Sequence, residues 1–390
     1  MVDPQIMERR RFLLENLRRY ATLAELRRTE FFARHGREIE DLLGQPVIHE
    51  GPAVTPRLKS FLRVVQWNLE RGTQYGQILE TLRSDEVLKW ADIILLNEAD
   101  VGMSRSGNRH VAFDLAQSLQ MHMVFGAAHL ELTGGGNGSP DDNRDSLQGN
   151  AVLSRYPVRE ARIVALPDCF EPYEFHEKRY GWRNCVWACL AVGNRTWWVG
   201  STHLEVRNTP QCRTRQMQRI MDRLVGESDQ PHLLGGDFNS NTFRRGTRWR
   251  TLGALGRLAM TSPSRVKAEL IRPDAGKEPL FEVARAAGFT WQEFNRPEAT
   301  ACAPLDGLED ARLLPSFVRR SLGKRLEPYQ GYLHLKLDWL LARNVRALKE
   351  REMQDPASGV FSAAPGQSSI NRKGPDRLSD HSPIYADMRL

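Results

Sequence analysis

Ser379-Asp380-His381-Ser382-Pro383, running into Ile384-Tyr385-Ala386-Asp387-Met388, is the stretch on which the reading of this chain turns. It sets a carboxylate beside an imidazole just before an apolar segment that reads as a strand. An Asp-His pair by itself is a weak signal. Four more polar clusters sit at the ends of apolar runs: Gln66-Trp67-Asn68, Asn97-Glu98, Ser201-Thr202-His203-Leu204-Glu205 and Gly235-Gly236-Asp237-Phe238-Asn239. A fifth, Leu337-Asp338-Trp339, lies inside an apolar run. Strand ends that gather carboxylates, amides and two histidines suit a divalent cation and a phosphate ester.

Taken singly, each cluster has an ordinary alternative. Glu98 ends Ile93-Ile94-Leu95-Leu96-Asn97, where a carboxylate is costly unless it is paired or bound to a cation. Mg²⁺ needs only one or two such oxygens and keeps its waters, and Asn68 ends an equivalent run and can share the ion. A solvated strand terminus is the alternative. Asp237 and Asn239 follow two glycines that let backbone approach a ligand closely. In extended chain the two side chains share a face, so one can orient a water while the other contacts a phosphoryl oxygen. An Asx-type turn is the competing account. His203, alone after a strand, is more often structural. His381 is the stronger candidate, with Asp380 adjacent and Asp338 available elsewhere. A carboxylate accepting from one imidazole nitrogen fixes the tautomer and favours the charged form, which a phosphoryl transition state can use.

Bulk properties bound the answer loosely. The chain has 390 residues, is 41% apolar and carries a formal charge of +7. A basic balance favours anionic partners, whether nucleic acid, phospholipid surface or small phosphoesters. Five cysteines with no Cys-x-x-Cys form neither a zinc site nor a disulfide framework, so isolated thiols in a reducing compartment are expected. No run reaches membrane-spanning length, and Met1 to Arg11 lacks the apolar core of a secretory signal. A cytoplasmic location is the default expectation.

Two regions are expected. Residues 1–60 form a helical extension and linker. Leu13, Leu17, Tyr20 and Ala24 recur at helical spacing among arginines, Gly36 and Gly44-Gln45-Pro46 break the helix, and a proline-rich linker follows. A pair of amphipathic helices packed on the main body is favoured over a basic membrane or nucleic-acid arm. Residues 61–390 form the second region. Short apolar runs mark strands at Leu62–Val65, Ile93–Leu96, Ala151–Leu153, Val186–Val192, Trp197–Gly200, His232–Leu234, Leu337–Ala342 and Ile384–Met388. Helices are expected over Tyr75–Lys89, His110–Gln120 and Gln211–Val225. Loops are expected over Thr133–Gln148, where the glycine run lacks a phosphate-loop context and reads as a lid or insertion, over 242–250, and over 355–378. One mixed α/β domain with two packed sheets follows.

In this order the clusters resemble the endonuclease/exonuclease/phosphatase superfamily, the deoxyribonuclease-I-like fold. The matching stretches are Gln66-Trp67-Asn68, Asn97-Glu98, Gly149-Asn150 through Arg155-Tyr156-Pro157, Thr202-His203-Leu204, Gly236-Asp237-Phe238-Asn239, Leu337-Asp338 and Ser379 to Pro383. The resemblance covers most of 62–390 but not the N-terminal segment. It implies a four-layer α-β-β-α sandwich and phosphoester hydrolysis with Mg²⁺ or Mn²⁺. It implies that Glu98 and Asn68 hold the metal with support from Asp380, and that Asp237 aligns or deprotonates water. Asn239 and His203 would contact phosphoryl oxygens, His381 oriented by Asp338 would stabilise charge, and Asn150 would touch substrate. The glutamate follows Asn97 where the superfamily commonly has glutamine. The tyrosine-containing signature of abasic-site enzymes and the aromatic motif of inositol polyphosphate 5-phosphatases are missing. His203-Leu204-Glu205 with Arg213, Arg215 and Gln216 looks like the branch of sphingomyelinase-like and tyrosyl-DNA phosphodiesterase-like members. A phosphodiesterase or nuclease is the expected function. A phosphomonoesterase or phospholipid hydrolase and an inactive binding module are the alternatives. For a polyanion, the basic loop holding Arg244, Arg245 and Trp249 is the expected contact surface.

Overall fold

A computed structural model describes residues 4–52, 56–134, 139–224, 226, 229–244, 248–305, 327–374 and 376–390. Its strands in chain order are β1 (Val47–His49), β2 (Phe61–Asn68), β3 (Ile93–Val101), β4 (His122–Glu131), β5 (Leu147–Ser154), β6 (Val158–Ala165), β7 (Arg179–Gly181), β8 (Asn184–Val192), β9 (Arg195–His203), β10 (His232–Asp237), β11 (Ala301–Pro304), β12 (Tyr332–Leu335), β13 (Asp338–Arg343), β14 (Gly366–Gln367) and β15 (Ile384–Arg389). The α-helices are α1 (Pro4–Arg18), α2 (Leu23–Arg27), α3 (Glu30–Gly44), α4 (Tyr75–Ser84), α5 (Val111–Leu119), α6 (Pro210–Asp222), α7 (Arg248–Met260), α8 (Pro263–Ile271) and α9 (Leu280–Ala286).

Two sheets carry the fold. The first runs β1-β4-β5-β3-β2-β15-β14 with β7 paired to β4, and the second runs β13-β10-β9-β8-β6. Alternation along each strand explains how they stack. On β2, Leu62 and Val64 join Ile93 and Leu95 in a core shared with Val186, Ala188, Val199, Leu233 and Leu340 of the second sheet. The intervening Val65 and Trp67 face outward against Ile78 and Leu82 of α4 and Leu115 of α5. The second sheet repeats this, with Trp187, Leu234, Trp339 and Leu341 packing on Met217 and Ile220 of α6 and Phe281 of α9. Strands buried on both faces need near-continuous apolar runs, which is why all eight runs seen in the sequence are strands. The result is the four-layer α-β-β-α sandwich.

The expected helix pair at the N-terminus is interrupted elsewhere than at the expected glycines. Gly36 sits inside α3, and the interruptions fall before Thr22 and Thr29, each of which caps the helix that follows it. Leu13, Leu17, Leu26, Ile39 and Leu43 belong to the same core as Val65 and Trp67, so these helices pack on the first sheet. Within the expected linker, β1 pairs with β4. The Thr133–Gln148 stretch is not lid-like in its described part. Gly102 O accepts from Arg144 and Asp145 N–H, and Arg18 binds Asp141 and the Pro140 carbonyl. The loop expected over 242–250 gives way to α7 from Arg248. Its Leu252, Leu255 and Leu258, spaced by three, pack on a satellite core with Leu333, Leu335 and Leu337. The cysteines are corrected too. Cys169 and Cys212 are disulfide-bonded, while Cys185, Cys189 and Cys302 are free and buried.

Candidate active site

Strand register lines up the polar clusters. In the second sheet Asp237 at the end of β10 lies between His203 of β9 and Asp338 of β13. In the first, Asn68 at the end of β2 lies beside Asn97 of β3, and Gln66 beside Ile384 of β15. The two sets meet where the sheets face each other. Within the second sheet, Gly236 lets β10 lie tightly against β9 just before Asp237. Its φ is +151°, and a Cβ there would stand 1.8 Å from the Thr202 carbonyl oxygen.

Asp237 is the centre. Its Oδ2 accepts from Asn68 Nδ2 at 3.1 Å and lies 3.3 Å from His203 Nε2 and 3.6 Å from His381 Nε2. Its Oδ1 accepts from the Asn239 backbone N–H at 2.9 Å, so the Asx-type turn is present and leaves Oδ2 facing the two histidines. Asn239 has a left-handed φ of 48°, which replaces the expected extended geometry, and its Nδ2 donates to Leu204 O. Burial pushes the Asp237 carboxyl up and Asp338 adds to this, while His381 opposes it; the net shift is upward.

His381 Nδ1 lies 2.8 Å from Asp338 Oδ2, and Asp338 Oδ1 accepts from Gln66 Nε2 at 3.1 Å. Burial acts to lower His381, but Asp338, Asp237 and Asp380 outweigh it and hold the imidazole well above its ordinary value. His203 behaves oppositely. Burial together with Arg183, His381 and Arg179 holds it well below, as a neutral ring. One histidine is thus kept charged and the other neutral within one cavity.

Glu98 sits at a β-bulge between Leu96 and Ala99 with φ of 55°, which turns its side chain off the ladder and into the cavity. Burial opposes its ionisation, but Arg71, Arg183, His381 and Arg179 lower it overall. Asp380 is raised to about 6 by burial, with Glu70 and Glu98 adding and His381 opposing. Among the described residues no hydrogen bond reaches the Asp380 carboxylate. Glu98 and Asp380 both line the cavity, and Mg²⁺-type ions take such oxygen donors with few carboxylates. Crowding of anions is what a cation relieves, so the residues fit one. Asn68 is turned the other way. Its Nδ2 faces Glu98 and Asp237 while Oδ1 accepts from Glu70 N–H, so the amide must reverse to offer oxygen to an ion. Among described residues, the tightest group of possible ligands is instead Asp237, Asp338 and His381, with atoms within 4.8 Å. Its histidine is held in the charged form that does not ligate, and Asp338 is already bonded by Gln66 and His381. That trio is a hydrogen-bonded relay.

Asn97 is the residue beneath all of this. Its Oδ1 accepts from the Asp237 N–H at 2.8 Å and from Gln66, and its Nδ2 donates to Asn150, Ser201 and Thr202 O. Asn150 is 2% exposed, with its own amide nitrogen bonded to Asn184. It stands behind Asn97 and not among the cavity-lining residues, which places the expected substrate contact one layer back. Arg213 is likewise internal, forked onto Glu278.

The cavity holds about 250 Å³. Besides the expected Glu98, His203, Asp237, Asn239, Asp380 and His381, it is lined by Arg71, Arg179, Arg183 and Arg207, which were not anticipated. Glu177 bridges Arg71 and Arg179, and the Arg207 guanidinium lies 4.0 Å over the Phe175 ring. The Cys169–Cys212 bridge ties this segment to α6. Arg71 follows Asn68 by three residues, and Lys178-Arg179-Tyr180-Gly181-Trp182-Arg183 is a basic aromatic run; these are the signals that were available. Arg244 is exposed and Trp249 is 83% exposed, and neither lines the cavity; Arg245 lies outside the described residues.

The model of the endonuclease/exonuclease/phosphatase family matches residues 65–381, and this chain belongs to that family. No curated protein matches it. Among solved structures it resembles an endonuclease/exonuclease/phosphatase from Beutenbergia cavernae, at 18% identity over 85% of this chain and 72% of that one, with a TM-score of 0.51. It is also similar to the human Nocturnin catalytic domain with bound sulfate, at 13% identity over 88% and 96% of the two chains and a TM-score of 0.46. A 3′-5′ exonuclease from Neisseria meningitidis gives 14% identity over 84% and 100%, with a TM-score of 0.45. The family and fold expected from the sequence are thus shown. No described helix is long and apolar enough to cross a membrane.

Proposed function

We propose that this protein is a divalent-metal-dependent phosphodiesterase. The observation that carries it is the Asp237 carboxylate set between a neutral and a charged histidine, with Asp338 behind the charged one. Glu98 and Asp380, with Asn68 reversed, are the residues that would hold Mg²⁺ or Mn²⁺. Such an ion supplies charge neutralisation on a phosphoryl oxygen and lowers the pKa of bound water.

The chain's own residues supply the rest. Asp237, raised toward neutrality, accepts the proton of an attacking water and holds that water in line. His381 donates a charged N–H from Nε2 to an oxygen that gains charge, while Asp338 fixes its tautomer at Nδ1. His203 and the second N–H of Asn239 orient non-bridging oxygens. Asn97 fixes the Asp237 backbone, and Glu70 fixes the Asp380 backbone N–H at 2.9 Å. Arg71, Arg179, Arg183 and Arg207 offset the charge of the arriving ester. A diester is favoured over a monoester because aliphatic residues line the cavity alongside the arginines and carboxylates, a place for a second substituent.

Hydrolysis of bis(p-nitrophenyl) phosphate with added Mg²⁺ or Mn²⁺ tests this. Chelation is expected to abolish turnover, and Glu98→Gln to raise the metal concentration needed for half-maximal rate. Full turnover in excess chelator overturns the proposal.

A further inference from the structure

We infer that the ester carries a saturated hydrocarbon group, seated on an aliphatic wall beside the catalytic carboxylates. The inference rests on the phosphodiesterase reading and names the alcohol which that reading leaves open. The cavity has two unlike halves. Besides the arginines and carboxylates, its lining includes Phe243, Leu255, Leu258, Leu333, Leu335 and Leu337, along with small alanines. These residues belong to the satellite core built by α7, α8 and the antiparallel β11–β12 pair. A satellite core of this size ordinarily closes on itself. Among the described residues, its apolar side chains also line the cavity, an arrangement that costs stability unless something apolar fills it.

The wall is fixed to the chemistry. Leu337 immediately precedes Asp338, and its carbonyl accepts from Phe238 N–H at 2.9 Å. Ala301 bridges to His381, and Cys302 N–H donates to Asp380 O. A substituent that stays on phosphorus and lies on that side therefore meets aliphatic carbon beside the catalytic residues.

The wall chemistry argues against a nucleobase. Bases are held by aromatic platforms and hydrogen-bonding groups. Phe243 is the single aromatic among the described lining residues, and the Arg257 guanidinium already lies 5.1 Å over its ring. Trp249, the other aromatic nearby in sequence, does not line the cavity. Hydrocarbon needs only apolar area, which is what the wall offers.

Binding and turnover are read separately. The first measurement titrates the full chain with methyl, butyl and hexyl phosphate by calorimetry. Affinity is expected to rise about four-fold per methylene, the equivalent of one buried CH₂, or roughly 50-fold from methyl to butyl. Ala254→Phe and, independently, Ala303→Phe fill the apolar half without emptying the core, so each should flatten this series at unchanged melting temperature. The second measurement follows p-nitrophenyl esters of methyl, butyl and hexyl phosphate and the thymidine 5′ ester. Water adds to phosphorus as the bond to p-nitrophenolate breaks, leaving an alkyl phosphate. kcat/KM should rise with chain length through KM, because the wall holds ground and transition states alike.

Equal affinities for methyl and butyl phosphate overturn the inference while leaving the hydrolase reading intact if all esters turn over. A length dependence that survives both filled variants, or a thymidine ester preferred over butyl, also overturns it. Chain-dependent binding with no turnover of any ester sustains the wall and refutes the hydrolase reading.

Discussion

Replacing Asn97 with leucine tests how the centre is held together. The two side chains share the same branching, so the change removes hydrogen bonds without opening a cavity, and the bulkier methyls of leucine add an overpacking cost on top. It strips the acceptor from the Asp237 N–H, the donor from Asn150 Oδ1 and one donor to the Thr202 carbonyl, all buried; the first two carry the larger cost. Ser201 keeps its bond to Leu96 O, and Gln66 keeps Asp338. Two orphaned groups at about 1–3 kcal/mol each give a destabilisation of about 2–6 kcal/mol. Activity should suffer beyond the loss of stability, because Asp237 loses the contact that fixes its backbone. A displacement of a reacting group by an ångström costs on the order of 10²-fold in rate. Urea unfolding with two spectroscopic probes gives the first quantity, and kcat on bis(p-nitrophenyl) phosphate under conditions where the variant is fully folded gives the second. A leucine variant within about 0.5 kcal/mol of the parent, the range of an ordinary surface substitution, with undiminished kcat would refute this account of Asn97.

Folded His381→Ala and Asp237→Ala variants should each lose kcat by about 10²-fold or more, the usual contribution of acid–base and electrostatic groups; near-normal kcat in either removes it from the mechanism. Asp92, buried and raised to about 7, gives a pH test of stability away from the site. Its folded value lies above the unfolded one, so its stabilising contribution is complete below about pH 4 and is lost as pH rises through about 7. The stability of the parent relative to Asp92→Asn should therefore fall by up to about 4 kcal/mol across that window, and parallel urea midpoints from pH 4.5 to 8 would contradict it. Cys169→Ser opens a loop of 43 residues and should cost about 2–4 kcal/mol in unfolding free energy, with no cost if the bridge constrains nothing.

What was legible in the sequence follows from where the information lies along the chain. Asp380-His381 is visible because the two are neighbours, and the strand-end carboxylates stand out because a charge after Ile93-Ile94-Leu95-Leu96 needs a reason. Asp338 could be matched to His381 only through family order, since their 2.8 Å contact spans 43 residues. The arginines at 71, 179, 183 and 207 come from a turn, a three-residue strand and loops, and none has a local pattern that says it faces a cavity. The aliphatic wall was hidden for the opposite reason. Leucines at 255, 258, 333 and 335 look like any core, and only the fold shows that their shared core opens onto the site. The disulfide lay outside the reach of spacing, because Cys169 sits in a loop and Cys212 on a helix. Asn97 was noted as a departure from the family habit, but that it joins both sheets is a property of packing.

The centre draws its parts from both sheets: Asn68, Asn97 and Glu98 from one, His203, Asp237 and Asp338 from the other. Among the described residues no covalent link at the site ties these sets together; amides and interlocked side chains do. The cleft therefore works as a vernier for the alignment of the two halves. Interiors packed like crystals do not slide gradually, so a small shear between the sheets separates donors from acceptors all at once. Turnover is then the most sensitive reporter of that alignment, and should fade at lower denaturant than the loss of strand and helix signal.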